Sequence, residues 1–394
     1  MIKEGSLPPD TKRLHVVDAL RGFAIVSIML LHNIEHFDVY HVPQNLPSWM
    51  TVVDKMIWES LFFLFSGKSY GMFAVLFGLT FFIQSNNQTK KGKSFNGRFA
   101  WRMFLLFGFG ILNSVFFQGD ILTIYAVLGL FLIPFRYMGN RVMLFTASIL
   151  LLLPVEICHL IQGIIDSDMI MSNPESWTYF GKMSEYITGD SFLETAWGNL
   201  TNGKTAVLLW NKENGRFFLI LSYFLFGLLT GRKHLFNESN QSKYFWKRAL
   251  VIAAIAFIPL FIVKLNLGQW VDSKAILRPL RIMISTWSNA AFMVFLIAGF
   301  YLLFYLTGLR KILNYFSAFG KMSLSNYIIQ SVLGGFIYYG FGLGLYQYTG
   351  STYAVLIGLV LTVLLGLFCN WWGKRFKHGP FEAIWHYLTW IKIK

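Results

Sequence analysis

Long apolar runs, separated by short polar segments, recur along the whole chain and constrain its fold more than any other sequence feature. A membrane-spanning helix needs about 20 mainly apolar residues, and the following runs approach that length: 16–34, 69–86, 99–118, 120–137, 142–164, 216–232, 247–265, 282–306, 323–345 and 352–373. Charged residues make up only 13% of the chain, against roughly 25% in soluble domains. The sequence therefore predicts an all-α, polytopic membrane helix bundle of about ten transmembrane helices, with residues 1–394 forming a single integral membrane domain.

The distribution of basic residues predicts how this bundle is oriented. Lysine and arginine are retained on the cytoplasmic side of a membrane, and most of them fall in segments that are cytoplasmic if both termini are inside (N-in/C-in). The net charge of +15 comes from these short clusters between apolar runs. It therefore reflects membrane topology and does not indicate a nucleic-acid partner. The amphipathic stretch 49–66 is expected to enter the membrane from the outside.

Two polar segments extend beyond the predicted spans. The loop 165–215 would lie outside the membrane, and a loop of this length is either a functional element or a passive cap. The tail 374–394 would lie in the cytoplasm, where a Gly379-Pro380 break precedes an amphipathic stretch suited to the membrane interface. Cys158 and Cys369 are expected near opposite membrane faces and therefore as free thiols.

Ionisable residues inside a span are costly and are therefore functional candidates. At the inner end of the first span, Asp18 and Arg21 can pair on one face, either to anchor the helix or to hold a cation at the mouth of a cavity. At the outer end, His32, Glu35 and His36 share a face, and an imidazole beside a carboxylate is a usual pairing for a general base. The alternative is an interfacial histidine without a catalytic role. Two histidines at this spacing are too weak a pattern to predict a metal.

Asp120 lies at a tight outer turn between two predicted spans. Its carboxylate can cap the N-terminus of the following helix. It can also approach His32 on the same membrane face and orient the imidazole, and these two roles are compatible.

A stripe of polar side chains at helical spacing begins near residue 323 and consists of Ser323, Asn326, Tyr327 and Gln330. Such a stripe either joins helices by hydrogen bonds or lines a polar path from the cytoplasm. Both interpretations remain open at this point.

Arg98 and Arg102 lie one helical turn apart at a predicted cytoplasmic helix end, after a cluster of lysines. Arginine is well suited to phosphate recognition. The alternative is that both residues only anchor the helix at the cytoplasmic face.

Five motifs occur in order along the chain: Asp18-Ala19-Leu20-Arg21-Gly22, Ser66-Gly67-Lys68-Ser69-Tyr70 with Leu76-Phe77-Gly78, Gly119-Asp120-Ile121-Leu122, Gly320-Lys321-Met322-Ser323-Leu324-Ser325-Asn326-Tyr327, and Gly379-Pro380-Phe381-Glu382. Together they resemble the YeiB-like membrane proteins (domain of unknown function 418), and the resemblance covers essentially the whole chain. It implies a multi-pass protein of the bacterial cytoplasmic (inner) membrane, with membrane lipid as a partner.

The YeiB-like family is itself similar to transmembrane acyltransferases, which take an acyl group from cytoplasmic acyl-CoA and deliver it to a sugar or glycan on the far side. The acyltransferase-3 proteins among them share an arginine and a histidine separated by ten residues in the first helix, and Arg21 and His32 fit that spacing. The resemblance implies acyl-CoA or acetyl-CoA as donor, a glycan, lipid-linked or small-molecule acceptor, and no metal. The implied catalytic residues are His32, Asp120 and Glu35, and the implied donor-binding residues are Arg21, Arg98, Arg102, Lys321, Ser323, Asn326 and Gln330.

Two other classes of function remain open. A transporter would move a small metabolite or a lipid precursor, and it needs a coupling carboxylate deep in the bilayer. A non-catalytic membrane scaffold or sensor would tolerate the loss of both Arg21 and His32. Binding of acyl-CoA would distinguish the acyltransferase from both alternatives.

Overall fold

The computed structural model describes residues 13–38, 41, 43 and 46–390. The first twelve residues and the last four of the predicted tail lie outside the described residues. The helices are, in chain order, α1 (His15–Glu35), α2 (Ser48–Phe65), α3 (Ser69–Lys90), α4 (Asn96–Phe116), α5 (Leu122–Leu130), α6 (Leu132–Phe135), α7 (Asn140–Leu151), α8 (Pro154–Ile165), α9 (Glu175–Gly181), α10 (Ser184–Ile187), α11 (Phe192–Gly198), α12 (Lys204–Glu213), α13 (Arg216–Arg232), α14 (Asn240–Trp270), α15 (Lys274–Leu306), α16 (Arg310–Leu313), α17 (Phe316–Lys321), α18 (Ser323–Tyr338), α19 (Ser351–Gly373) and α20 (Pro380–Trp390). A π-helical turn (Asn199–Gly203) joins α11 to α12.

The described part of the chain is all-helical and contains no strand. Six helical segments are long and apolar enough to cross a membrane, namely His15–Glu35, Ser48–Lys90, Asn96–Phe116, Asn240–Trp270, Lys274–Leu306 and Ser351–Gly373. Two bent pairs, α7 with α8 and Phe192–Glu213 with α13, raise the number to eight if each pair is one span. This agrees with the predicted all-α bundle of membrane helices, while the count of ten and the orientation stay predictions.

Two of the predicted spans are shorter as helices than as apolar runs. The run 120–137 contains the nine-residue α5, which at 1.5 Å per residue rises about 14 Å and cannot alone cross a hydrocarbon core of about 30 Å. The run 323–345 stops being α-helical at Tyr338, where the glycine-rich segment 340–344 follows. The run 142–164 bends by 44° ahead of Pro154, because a proline removes a helical hydrogen bond.

The helices at the periphery present apolar side chains outward. On α14, Ile252, Ile255 and Ile258 are all exposed, and on α19, Val363 and Leu367 are exposed as well. Exposed apolar patches of this extent are unusual on soluble proteins. In lipid, exposure of these apolar side chains carries no free-energy penalty of contact with water.

Two pairs of glycines set the closest helix crossings in the bundle. A Cβ atom on Gly22 of α1 would collide with the carbonyl oxygen of Phe316, and one on Gly320 of α17 would collide with the carbonyl oxygen of Asp18. Only residues without a side chain allow backbones to approach this closely. The crossing therefore brings Arg21 and Lys321, the sequence neighbours of the two glycines, to the same region of the bundle.

The second crossing joins α3 to α13 in the same reciprocal way. A Cβ on Gly78 would meet the carbonyl oxygen of Phe224, and one on Gly227 would meet that of Val75. Glycines of three of the family-like motifs, Gly22, Gly78 and Gly320, thus have a packing role.

The segment 165–215 is helical rather than an open loop, and it packs over the end of α1 that carries His32. It contains α9 to α12, and Asn199 in its π-helical turn donates to the carbonyl oxygen of Val115 at 3.2 Å. Gly215, with φ at +62°, then turns the chain through 73° into α13. A left-handed backbone conformation of this kind favours glycine, so Gly215 determines where the first residue of α13 is placed.

Candidate functional site

A cavity of about 630 Å³ lies at the end of α1 that the segment 165–215 covers. We call it the histidine cavity. Its volume is within the range of roughly 300–1,000 Å³ that encloses small-molecule ligands. Its polar lining residues are His32, Glu35, Ser66, Ser69, Gln118, Asp120, Asn211 and Arg216, and its aromatic lining residues are Phe65, Tyr70, Phe117, Trp177, Phe180, Trp210 and Tyr327. The segment 165–215 contributes three of these aromatic rings and is therefore part of the cavity wall.

His32 has a polar side chain at each of its ring nitrogens. Its Nε2 lies 3.7 Å from Oε2 of Glu35, which is longer than a hydrogen bond, and its Nδ1 lies 3.4 Å from Nε2 of Gln330. The ring packs against Phe117 with a centroid separation of 4.4 Å. His32 is thus held between two helices, α1 and α18, with one edge toward the cavity.

The amide of Gln330 can determine which nitrogen of His32 carries the proton. The Oε1 atom of Gln330 is buried and has no hydrogen-bond partner among the described residues. The oxygen and nitrogen of an amide exchange places when the group turns over, and Oε1 would then accept a hydrogen bond from Nδ1. In that arrangement Nε2 of His32 is an unprotonated base beside Glu35.

Asp120 is fully buried at the N-terminus of α5, where it acts as the predicted cap. Its oxygens accept hydrogen bonds from the backbone N–H groups of Leu122 at 3.2 Å and Thr123 at 3.0 Å. The Nζ atom of Lys204, from α12, lies 3.1 Å from Oδ2 of Asp120. Asp120 also accepts hydrogen bonds from the side chains of Asn113 and Thr123. It lines the histidine cavity, but it forms no hydrogen bond with His32. The groups that the structure places at the imidazole are Glu35 and Gln330.

No metal site is apparent in this region. His36, one turn beyond His32, has its Nδ1 at the carbonyl oxygen of His32. Within residues 13–38, 41, 43 and 46–390, no group of three or more histidine, cysteine, aspartate or glutamate side chains is arranged to hold a metal ion. Cys158 and Cys369 are both free thiols.

A second cavity, of about 230 Å³, lies at the opposite end of α1. We call it the basic cavity because four cations line it, namely Arg13, Arg21, Arg102 and Lys321. Arg21 pairs with Asp18 at 3.2 Å, as predicted from their spacing, and its other terminal nitrogen donates to Thr80 at 2.9 Å. The cavity thus collects residues from α1, α4 and α17.

The two arginines of α4 lie under the C-terminal helix α20. The guanidinium of Arg102 stacks on the ring of Trp385 at 4.2 Å, and that of Arg98 stacks on the ring of Trp390 at 3.9 Å. Arg102 lines the basic cavity, and its buried Nε has no hydrogen-bond partner among the residues that the structure describes. Arg98 is not part of the cavity lining, so the structure separates these two predicted phosphate ligands.

Glu382 connects the tail to the start of α18. Its carboxylate accepts hydrogen bonds from the backbone N–H groups of Leu324 at 2.7 Å and Ser325 at 3.2 Å, and from Oγ of Ser325 at 2.5 Å. These are the donors that a helix N-terminus leaves unsatisfied. Burial raises the pKa of Glu382 above its ordinary value, although these hydrogen bonds act in the opposite direction. The Gly379-Pro380-Phe381-Glu382 motif is therefore an N-terminal cap supplied from elsewhere in the chain.

The polar stripe on α18 has members with different roles. Ser323 lines the basic cavity, whereas Gln330 contacts His32 at the other end. Asn326 donates to the carbonyl oxygen of Phe319 at 3.2 Å and lies 3.3 Å from Sγ of Cys369. Asn326 thus joins helices, and neither it nor Gln330 lines the basic cavity.

Tyr327 lines both cavities and separates them. Its side chain is buried, and its hydroxyl accepts a hydrogen bond from the backbone N–H of Ile121 at 3.2 Å. A second tyrosine, Tyr125, lines the basic cavity and donates to the carbonyl oxygen of Tyr70, a residue of the histidine cavity, at 2.6 Å. The polar path expected along α18 is therefore divided into two cavities by a thin wall.

Arg216 is a residue of this site that the sequence motifs did not identify. It is the first residue of α13, and its guanidinium stacks on the rings of Tyr70 at 3.9 Å and Trp210 at 4.3 Å. The sequence feature that distinguishes Arg216 is its position on the predicted outer side of a span, directly after a glycine. Basic residues are depleted on that side, so an arginine that is retained there is a candidate functional residue.

Comparison with known proteins agrees with the motifs. Residues 230–392 match the family described as "Protein of unknown function (DUF418)". The uncharacterized protein YxaH of Bacillus subtilis (strain 168) is 27% identical over 413 aligned residues, which cover 97% of this chain and 96% of that protein. An uncharacterized 39.9 kDa protein in the amylase 3' region of Bacillus acidopullulyticus is 26% identical, over 96% of this chain and 94% of its own length. No solved structure matches the chain.

The family match covers α14 to α20, and with them the wall residue Tyr327, the histidine partner Gln330 and the cap Glu382. Both relatives extend over α1 and the segment 165–215 as well. Residues 230–392 are therefore similar to the DUF418 family of proteins of unknown function, in agreement with the YeiB-like resemblance of the motifs.

Proposed function

We propose that the protein is a membrane acyltransferase that uses acyl-CoA or acetyl-CoA as donor. The acceptor would be a glycan, a lipid-linked molecule or a small molecule bound on the extracytoplasmic side. The observation that carries the proposal is the pair of cavities at opposite ends of α1, one lined by cations and one containing His32, with only Tyr327 and its neighbours between them. A donor and an acceptor could approach each other from opposite sides of such a wall.

The proposed location is the bacterial cytoplasmic membrane, with both termini in the cytoplasm. The basic cavity would then face the cytoplasm, where acyl-CoA is made, and the histidine cavity would face outward. The retention of lysine and arginine on the cytoplasmic side supports this orientation. Arg21 and His32 are separated along α1 by about 16 Å, at 1.5 Å per residue, so they lie toward opposite membrane faces.

At the donor end, Arg21, Arg102 and Lys321 would bind the phosphates of CoA. The buried and unpartnered Nε of Arg102 supports this role, because a buried polar group without a partner is costly and an anion would satisfy it. A cavity of about 230 Å³ is smaller than the roughly 300–1,000 Å³ of pockets that enclose whole ligands. Only one part of the donor would therefore be enclosed, and the rest would extend past Trp385 toward the cytoplasm.

At the acceptor end, His32 would act as a general base. Its Nε2 would take the proton of an acceptor hydroxyl or amine as that group attacks the thioester carbonyl. The new ester or amide bond would form as the carbon–sulfur bond breaks, and the proton would pass from the imidazole to the departing CoA thiolate. Gln330 would hold the required tautomer through Nδ1, and Glu35 would stabilise the imidazolium.

The wall between the cavities must open for these groups to meet. In the present conformation Tyr327 is held by Ile121 and lies between the basic residues and His32. Transfer therefore requires a movement of Tyr327, after which the acyl end of the donor can reach the imidazole.

A transporter is the second candidate, and the same two cavities favour it. Two cavities at opposite ends of a bundle, separated by a thin wall, are also what an occluded transporter contains. A transporter would move a ligand through the position of Tyr327 without consuming acyl-CoA. A membrane scaffold or sensor needs neither cavity.

The test uses purified protein in proteoliposomes made from bacterial envelope lipids. Under the proposal, acetyl-CoA or a longer acyl-CoA raises the thermal unfolding temperature, and label from acyl-CoA appears in lipid- or glycan-linked products. His32→Ala would remove the label transfer and keep the thermal shift, whereas His15→Ala, which changes an exposed histidine on the same helix, would keep both. Absence of any thermal shift would eliminate the acyltransferase, and transfer that survives His32→Ala would eliminate the proposed base.

A further inference from the structure

Arg216 lines the histidine cavity and stacks on two aromatic rings. The central carbon of its guanidinium lies 3.9 Å from the ring centroid of Tyr70 and 4.3 Å from that of Trp210. The backbone of both residues is tied to a neighbour, since the carbonyl oxygen of Tyr70 accepts from Tyr125 at 2.6 Å and that of Trp210 accepts from Asn214 at 2.8 Å. These two stacking contacts restrain the guanidinium within the cavity.

Stacking covers the faces of a guanidinium but leaves its edge, and thus its N–H donors, available. Among the described residues, Arg216 forms no salt bridge and no hydrogen bond through its side chain. The edge that faces the cavity therefore has unused hydrogen-bond donors. A planar edge with several donors matches the two oxygens of a carboxylate or phosphate.

The other charges in the cavity leave this positive charge without a close counter-ion. Asp120 is neutralised by Lys204 at 3.1 Å. Glu35 lines the same cavity and interacts electrostatically with Arg216, but it forms no direct ion pair with that residue and lies 3.7 Å from His32. Arg216 is also the first residue of the 17-residue helix α13, whose N-terminus adds to the positive potential.

From this arrangement we infer that the histidine cavity binds an acceptor that carries an anionic group, a carboxylate or a phosphate, and that Arg216 binds this group. The inference rests on the proposed function, because it assigns the acceptor to the cavity that contains His32. It specifies the acceptor class as an anionic sugar or a phosphate-bearing lipid headgroup. The aromatic rings around the cavity suit the apolar faces of a sugar ring.

The experiment measures binding to purified protein in nanodiscs of phosphatidylcholine by isothermal titration calorimetry. The probes are glucose 1-phosphate, glucuronic acid and glucose, which share a sugar ring and differ in charge. We expect at least one anionic probe to bind about tenfold or more tightly than glucose, the equivalent of one charge-assisted hydrogen bond. Equal binding of all three probes would overturn the inference.

The matched variants are Arg216→Gln and Arg281→Gln. Arg281 is an exposed arginine at the same end of the bundle that does not line the cavity. Arg216→Gln should remove the preference for the anion, and Arg281→Gln should retain it. Arg216→Lys keeps the charge without the planar edge and should lose part of the preference for the anion. This second variant keeps the assignment testable if Arg216→Gln does not fold. Retention of the full preference in Arg216→Gln would overturn the assignment.

A second arm identifies the source of the anion. In nanodiscs that contain phosphatidylglycerol, a lipid headgroup that occupies Arg216 would weaken the binding of glucose 1-phosphate, whereas a soluble or glycan-borne acceptor would leave it unchanged. Acyl-CoA binding at the basic cavity is recorded separately on the same samples. Anion binding without acyl-CoA binding would keep the anion site at Arg216 and eliminate the acyltransferase. Acyl-CoA binding without an anion preference would keep the acyltransferase and eliminate the anionic acceptor.

Discussion

The hydroxyl of Tyr327 accepts a hydrogen bond from the backbone N–H of Ile121 at 3.2 Å, and this contact joins α18 to the turn before α5. The ring beside it belongs to both cavity walls. The ring of Tyr327 is therefore a central part of the wall between the basic cavity and the histidine cavity. The consequences can be tested at this residue and at the residues that hold the surrounding helices.

Tyr327→Ala should connect the two cavities, because it removes the ring that separates them, whereas Tyr327→Phe keeps the ring and should leave them separate. The measurement uses Ile124→Cys, a position that lines the histidine cavity, in a background with Cys158→Ser and Cys369→Ala. A membrane-impermeant maleimide supplied from the side of the basic cavity should label the cysteine only together with Tyr327→Ala. Equal labelling with intact Tyr327 would mean that the wall is already open.

Gln330→Leu should lower the rate of acyl transfer about tenfold and leave the KM for acyl-CoA unchanged. The physical reason is that Gln330 contacts His32 at 3.4 Å and does not line the basic cavity, and loss of one orienting hydrogen bond is worth about 0.5–1.5 kcal/mol. Steady-state kinetics with varied acyl-CoA provide the measurement. An increase in KM at constant kcat would instead support the donor-binding role predicted from the sequence.

Lys204→Met should destabilise the fold by about 3–5 kcal/mol, because it leaves the buried carboxylate of Asp120 without its counter-ion. The double variant Asp120→Asn with Lys204→Met should recover part of this loss. Lys212→Met, an exposed position on the same helix, is the control and should change little. Thermal unfolding in detergent measures all of them, and equal unfolding temperatures for the two lysine variants would contradict the prediction.

Gly22→Ala should destabilise the bundle by roughly 1–3 kcal/mol, the usual cost of overpacking. The added methyl group would collide with the carbonyl oxygen of Phe316 and separate α1 from α17. Gly108→Ala is the matched control, since no atom lies within 4 Å of its added Cβ, and a helical alanine is favoured over glycine by up to about 1 kcal/mol. A Gly22→Ala protein as stable as the control would show that the crossing is not tight.

Glu382→Ala should release the tail helix α20, because it removes the carboxylate that caps α18. Loss of a cap costs about 0.5–2 kcal/mol, and we expect faster hydrogen exchange in residues 380–390 than in the unchanged protein. Glu382→Gln keeps one accepting oxygen and should give an intermediate rate. If hydrogen exchange of α20 in the alanine variant is as slow as in the unchanged protein, the stacking of Trp385 and Trp390 on the arginines is enough to hold this helix in place.

The sequence alone determined those features that depend on nearby residues. Apolar runs predicted the helices because a backbone in lipid must satisfy its own hydrogen bonds, and a helix does so locally. The pairing of Asp18 with Arg21 and the cap formed by Asp120 follow from spacings of three residues. The start of α20 at Pro380 follows from the Gly-Pro break.

Only the tertiary structure decided which residues face one another across the bundle. Gln330 reaches His32 from 298 positions away, and Trp385 covers Arg102 from a helix at the other end of the chain. The position of the Arg216 side chain in the histidine cavity depends on the left-handed turn at Gly215 and on stacking with two rings from different segments. Such contacts depend on how closely the helices approach each other. Gly22 and Gly320 allow the close approach of α1 and α17, because a side chain at either position would collide with the backbone of the facing helix. The sequence of a single helix does not show which backbone lies opposite.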